Sequence, residues 1–236
     1  AETEKLVLAA AEHEGPVYIR LGREPMPVVF GEDYKPEIGK AVRLREGNGA
    51  TIIATGIMVE RALIAADILN HKGITVRVVN VHTIKPLDAA EVIKAAWDTG
   101  AIVTAEEHSI IGGLGSAVAE VVVQNRPVPM EFIGIKDRFG QSGKPSELLT
   151  EYGMEPVHIV AAVEKVNPKM VETTDATALV EMNKNGEIPG CDIVGPISFD
   201  IMMDKGIAER KGYDCPYCGD FDCVIVPTMA AGNLMH

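Results

Sequence analysis

The chain has 236 residues, of which 47% are hydrophobic and 24% charged, and a net charge of −12. This is the composition of a globular protein with a real core, in one large domain or two small ones. A surface so acidic repels nucleic-acid phosphates and anionic lipid, and no apolar run approaches the ~18 residues that span a bilayer, so nucleic acid and membrane are excluded as partners.

Taken in order, the first residues carry Glu2 and Glu4 without the basic start of a secretory signal. The chain opens at Ala1 and not at Met, as a processed product or a fragment does. Leu6, Ala9, Ala10 and His13 recur at helical spacing over 3–14, Gly15-Pro16 stops that helix, and Val17-Tyr18-Ile19 reads as a short strand. Residues 24–48 are rich in Pro, Gly and charge and read as a linker.

A clear α/β alternation follows. Strands are expected at 51–54, 75–81, 101–105 and 132–135, and helices at 58–71, 88–100, 116–124, 145–152 and 157–166. Val59, Leu63, Ala66 and Leu69 share one face of the first of these helices, and Gly73 lies just past its end. Asp88 and Glu91 have the spacing of a capping box, in which each side chain satisfies an orphan N–H. Strands joined through helices need crossover connections, so the sheet is expected to be mainly parallel.

From 173 the pattern restarts, with a helix at 174–183, a strand at 191–194, a helix at 201–211 and a strand at 223–226. Two strands and two helices cannot cover both faces of a parallel sheet. This partial α/β block is expected to dock on the first or to be poorly stable. All four cysteines fall within it, between Cys191 and Cys223. Four thiols in a large acidic chain suit a reducing cytoplasm better than a disulfide scaffold.

Several side chains are candidates for chemistry. Arg20 and Arg23 stand at the exit of the expected strand 17–19, where a planar guanidinium can grip phosphate or carboxylate; the plainer reading is two solvated surface residues. Glu107 and His108 are a candidate acid–base pair, although neighbours in a strand point to opposite faces unless the strand ends between them. His82 reads as a structural histidine. Gly112-Gly113-Leu114-Gly115 follows a strand and opens a helix, but misses G-x-G-x-x-G spacing, so a tight turn close to the sheet is the plainer reading. Cys215-Pro216-Tyr217-Cys218 invites a redox or zinc reading. A redox pair should open a helix, whereas a strand is expected to follow, and a zinc site lacks a second ligand pair. Reduced thiols without a metal are the expectation. Gly232-Asn233 follows the last expected strand and could open a helix over phosphate.

Four stretches together are highly specific: Ala54-Thr55-Gly56, Val81-His82-Thr83-Ile84-Lys85-Pro86-Leu87-Asp88, Ala105 to Ser116, and Asp137-Arg138-Phe139-Gly140-Gln141-Ser142-Gly143. In them, residues 49–166 resemble the C-terminal domain of transketolases, residues 1–30 resemble the tail of the preceding pyrimidine-binding domain, and 31–48 links the two. The resemblance implies a three-layer α/β domain with a mainly parallel sheet. It implies transfer of two-carbon ketol units between sugar phosphates, with Arg23 on the substrate phosphate, Arg20 as a weaker candidate beside it, and Glu107 and His108 in support. It also implies thiamine diphosphate and Mg²⁺, whose binding residues lie in domains that these residues do not match. Those domains would come from a partner chain, or the chain would act as a homo-oligomer. A non-catalytic dimerisation module is a further possibility.

Gly195-Pro196-Ile197-Ser198-Phe199-Asp200, Lys211-Gly212-Tyr213, Gly219 to Pro227 and Ala231-Gly232-Asn233 follow, in order, the pattern of phosphate acetyl/butyryltransferases. Residues 167–236 resemble the C-terminal region of that family, with coenzyme A and inorganic phosphate as substrates and no metal. Thr228 departs from the acidic residue usual there. Ala161-Ala162-Val163-Glu164-Lys165-Val166 fits the last helix of the first family and the helix before Asn167-Pro168 in the second, so a chimera joined near Val166 is the expectation.

Overall fold

Parity of side-chain burial builds the sheet. The computed structural model describes residues 2–23, 26–166, 171–210, 212–214 and 217–225, with 171–174 described by backbone alone. Its central strand, β2 (Thr51–Ala54), is buried at all four positions. It lies between β3 (Arg77–Asn80) and β4 (Ile102–Ser109), both parallel to it. β5 (Met130–Ile135) pairs parallel with β4, and β1 (Val42–Arg45) runs antiparallel along β3, giving the order β1-β3-β2-β4-β5. The sheet is mainly parallel, as expected. Its antiparallel edge strand falls inside the stretch read as linker. Val42-Arg43-Leu44-Arg45 is a half-exposed alternating strand whose signal was swamped by the Pro, Gly and charge around it.

Helices cover both faces. α2 (Met58–His71) and α6 (Pro156–Val166) pack together on one side, α3 (Ala89–Thr99) and α4 (Leu114–Asn125) on the other. Strand residues divide between the two layers: Ile52, Ala54, Val103 and Ala105 join the α2–α6 core, while Ile53, Val79 and Ile102 join the α3–α4 core. The result is the expected three-layer α/β domain.

Only half of the expected capping box forms. Asp88 accepts from the Glu91 N–H at 3.2 Å, and Gly100, at φ 71°, ends α3. The Glu91 carboxylate does not reach back. It accepts from Arg43 Nε and Nη2 at 2.5 and 2.8 Å, tying edge strand β1 to α3.

Before the sheet, α1 (Glu2–Glu12) has no buried residue. Val17-Tyr18-Ile19 is not a strand. It is extended and exposed, because no described strand lies alongside to complete a ladder. α5 (Pro145–Glu151) follows β5 and precedes α6.

The chain divides into two compact units, Ala1–Asn167 and Pro168–His236. The second contains α7 (Val171–Lys184), α8 (Phe199–Met203) and α9 (Lys205–Arg210). Residues 191–194 do not form the expected strand, nor do the described residues 223–225. The Asn183 side chain takes up backbone groups that a ladder would use: it donates to the Ile188 and Cys191 carbonyls at 2.8 Å and accepts from the Ile193 N–H at 3.2 Å. The helix expected over 201–211 is broken at Asp204, whose carboxylate accepts from the Gly206 and Ile207 N–H groups at 2.7 and 3.1 Å and caps a new turn. Ile201, Ala208 and Cys218 form the small buried core of this unit.

Candidate functional site

Because β2 to β5 are parallel, their four following loops lie along one edge of the sheet. From β2 the chain turns toward β3, and from β4 toward β5, on the opposite side. The loops after β2 and β4 therefore diverge at a switch point, the place where open α/β sheets bind ligands. Gly56 (φ 58°) and Gly112 (φ 77°) occupy these loops, each with open space where a Cβ would stand.

At this point the protein supplies its own anion. Glu106, 1% exposed, sits near the end of β4 and points under the start of α4. Its carboxylate accepts from the Leu114 and Gly115 N–H groups at 2.7 and 2.8 Å. A negative charge there satisfies two orphan donors and the positive end of the helix dipole. The glycines of the turn follow from this arrangement. A Cβ on Gly113 would overlap the Glu106 carboxylate, and one on Gly115 would overlap the Phe132 ring. The Gly112 N–H donates to Ser116 Oγ at 2.8 Å, and the Ile111 N–H to Ser109 Oγ at 3.2 Å. The turn thus spends its N–H groups internally. The glycine run is a tight turn, as its spacing suggested, and is not a phosphate loop. Glu106 was passed over in the sequence because Glu107 and His108 beside it drew attention as an acid–base pair.

Glu107 and His108 are both exposed, and no contact joins their side chains among the described residues; His108 Nδ1 lies 3.1 Å from the Ser109 carbonyl. Arg20 reaches this strand end from the N-terminal tail, donating from Nη2 to the Glu107 carbonyl at 3.1 Å. Arg23 is exposed. The two arginines lie on an irregular tail, not at a strand exit, and the single polar contact given for them is spent by Arg20 on the protein itself.

A polar cluster stands at the end of β3. Glu2 accepts from Asn80 Nδ2 at 2.7 Å and from the Tyr34 hydroxyl at 3.1 Å. Burial, and then Glu2, push the Tyr34 hydroxyl pKa up. His82 Nδ1 pairs with Thr83 Oγ1 at 2.8 Å, while Nε2 is buried with no hydrogen-bond partner. Burial pulls the His82 pKa below its ordinary value, against the opposing pull of Glu2. This histidine is structural. Beside the cluster runs a groove of about 580 Å³ between the β3–α3 loop and α4, lined by Lys85, Leu87, Gly113, Ser116 and Glu120 among others.

The residues present do not fit thiamine diphosphate. The helix start best placed for a diphosphate is filled by Glu106, and no group of three His, Cys, Asp or Glu able to hold a metal exists among the described residues. In the second unit Cys218 is buried, while Cys191 and Cys223 are exposed. Cys215, Gly232 and Asn233 lie outside the described residues.

Fold and site together define a doubly wound α/β module whose switch point is closed by its own carboxylate. Residues 39–159 match the family model for transketolase, C-terminal domain, and residues 116–236 match that for phosphate acetyl/butaryl transferase. The chain belongs to the transketolase family over the first range and to the phosphate acyltransferase family over the second, with 116–159 matched by both. The second match begins well before residue 167, where the sequence pattern placed it.

The chain is 48% identical over 157 residues to a 6-deoxy-6-sulfo-D-fructose transketolase subunit of Clostridium sp. (strain MSTE9), covering 66% of this chain and 49% of that protein. It is 45% identical over 156 residues to a putative transketolase C-terminal section of Methanocaldococcus jannaschii, covering 65% and 48%. A solved structure described as a split gene transketolase, inactive beta4 tetramer, shares 50% identity at a TM-score of 0.68, covering 70% of this chain and 54% of that one. The chain spans about half the length of the curated relatives it matches.

Proposed function

We propose that this chain is the C-terminal portion of a split transketolase. It works with domains or a partner chain that supply thiamine diphosphate, Mg²⁺ and the residues that use them, in transfer of two-carbon ketol units between sugar phosphates in the cytoplasm. The observation that carries this reading is identity of 45–50% with transketolase subunits over the unit that forms the complete three-layer sheet. Thiamine diphosphate supplies the carbanion chemistry when bound elsewhere in the assembly. This chain contributes the scaffold and Arg23, an exposed guanidinium suited to a sugar-phosphate dianion. Arg20, held on the Glu107 carbonyl, fixes the tail on which Arg23 rides.

The test is the assembled enzyme. In it, Arg23→Ala should raise KM for phosphorylated sugars by the equivalent of roughly 1.5–3 kcal/mol, the range of hydrogen bonds to charged groups, and leave unphosphorylated donors nearly unaffected. An equal loss on both removes Arg23 from the phosphate site.

A second reading rests on the match over 116–236. It makes the chain part of an enzyme that passes an acyl group between coenzyme A and phosphate, with Gly232 and Asn233 near the anion. Coenzyme A-dependent arsenolysis of an acyl phosphate tests it. A third, a non-catalytic association module, is supported by the solved relative being a tetramer; concentration-dependent self-association with neither activity would favour it.

A further inference from the structure

The loop edge of the sheet is apolar where it has no reason to be, if water were its final neighbour. Three successive loops after parallel strands each expose a large apolar residue: Ile84 after β3 at 39%, Ile111 after β4 at 63%, and Phe139 after β5 at 97%. The Phe139 loop is nonetheless pinned. Asp137 holds a φ of 43°, Arg138 pairs with Glu151 at 2.6 Å and lies 5.0 Å from the Tyr152 ring centre, and the Tyr152 hydroxyl donates to the Phe139 carbonyl at 3.1 Å. A loop fixed on both sides of a bare aromatic ring presents that ring; it does not merely fail to bury it. The N-terminal tail reaches the same edge through Arg20 with Tyr18 87% and Leu21 59% exposed. Charge marks the edge too. The loops 55–57, 81–87, 110–113 and 136–144 with the tail 15–23 hold six Lys and Arg and one carboxylate, Asp137, in a chain of net charge −12.

We propose that this edge is the seat of the portion of the relatives' chains that lies upstream of the match, with Phe139 as the anchor. The inference rests on the split-transketolase reading. Its occupant follows from two facts: about half of each curated relative lies outside the match, and the tail that leads upstream lies on this edge. The facing surface carries an apolar pocket for Phe139 inside an acidic rim that meets the six cations. A second copy packing edge to edge would set cations against cations, which disfavours it.

The probe is the stretch of the Clostridium relative upstream of its match, fused ahead of Ala1 in the 236-residue chain. Hydrogen exchange at residues 110–112 and 138–140 should slow at least tenfold in the fused protein relative to the unfused one. Phe139→Ser should restore fast exchange and lower the Tm of the fused protein, and leave the Tm of the unfused chain unchanged, since its ring touches little there. Ile111→Ser, on a different loop, should act in the same direction and guards against a folding defect peculiar to Phe139. Loops that exchange equally fast with and without the fusion overturn the proposal. So does an unfused chain that forms oligomers dispersed by Phe139→Ser, because the edge would then belong to a second copy. Ketol transfer measured on the same fused protein judges the functional reading separately: protected loops without activity support the docking and count against that reading.

Discussion

At the scale of single residues, Glu106 decides what the switch point can be. Glu106→Ala leaves two buried helix-start N–H groups without an acceptor and should lower stability by roughly 3 kcal/mol, given about 1.5–3 kcal/mol for each hydrogen bond to a charged group and incomplete additivity. Glu106→Gln should lose about half of that, since its amide oxygen still accepts one N–H while its NH₂ faces the other. Gly113→Ala should resemble Glu106→Ala, because a Cβ displaces the same carboxylate. Urea unfolding midpoints check all three, and a Glu106→Ala chain as stable as the parent would refute the capping role. His82 sets a pH dependence of the opposite kind. Burial lowers its folded pKa below the unfolded value of about 6.5, so the folded state binds fewer protons. Its effect is absent above the unfolded pKa, and stability is lost as pH falls from there toward the folded pKa. Thermal unfolding between pH 5 and 7.5 should show that slope flattened in His82→Gln. An unchanged slope would assign the loss to other groups.

At the scale of elements, the first unit was largely legible because its signals are local. The strand 51–54 and the helix 58–71 come out at their expected bounds, since a buried apolar run and a stripe at helical spacing need no partner to be recognised. Strands decided by their neighbours were not legible. Residues 17–19 and 191–194 have strand-like composition and find no ladder, whereas 42–45 finds one beside β3. The same dependence hid the site. Glu107 and His108 look catalytic by type, but the buried Glu106 matters because of a helix eight residues on, which no local pattern announces. The second unit fails on the same ground, since its described core has only Ile201, Ala208 and Cys218 fully buried. Limited proteolysis should therefore cut first between about 167 and 190 and leave the first unit intact, and hydrogen exchange should be faster throughout 171–225 than in β2 to β4. Equal protection on the two sides of Asn167 would contradict this.

At the scale of the whole molecule, the chain holds a complete fold without the parts for its proposed chemistry. The sheet has both faces covered and two cores, so the first unit has what independent stability requires. Its one helix start at the switch point is neutralised from within, its arginines ride on an exposed tail, and its described acids and histidines converge on no metal. A cofactor with a diphosphate at one end and an aromatic ring at the other needs anion donors and a divalent cation together. Neither is offered by the residues matched to the transketolase C-terminal domain. The 236-residue chain should then show no saturable heat with thiamine diphosphate and Mg²⁺ at micromolar concentration in calorimetry. The same titration on the chain assembled with the missing transketolase domains should show one site per assembled pair. Micromolar binding by the chain alone would mean that the cofactor uses groups on this sheet edge, and would move the centre of the chemistry from the partner onto the loops around Gly56 and Gly112.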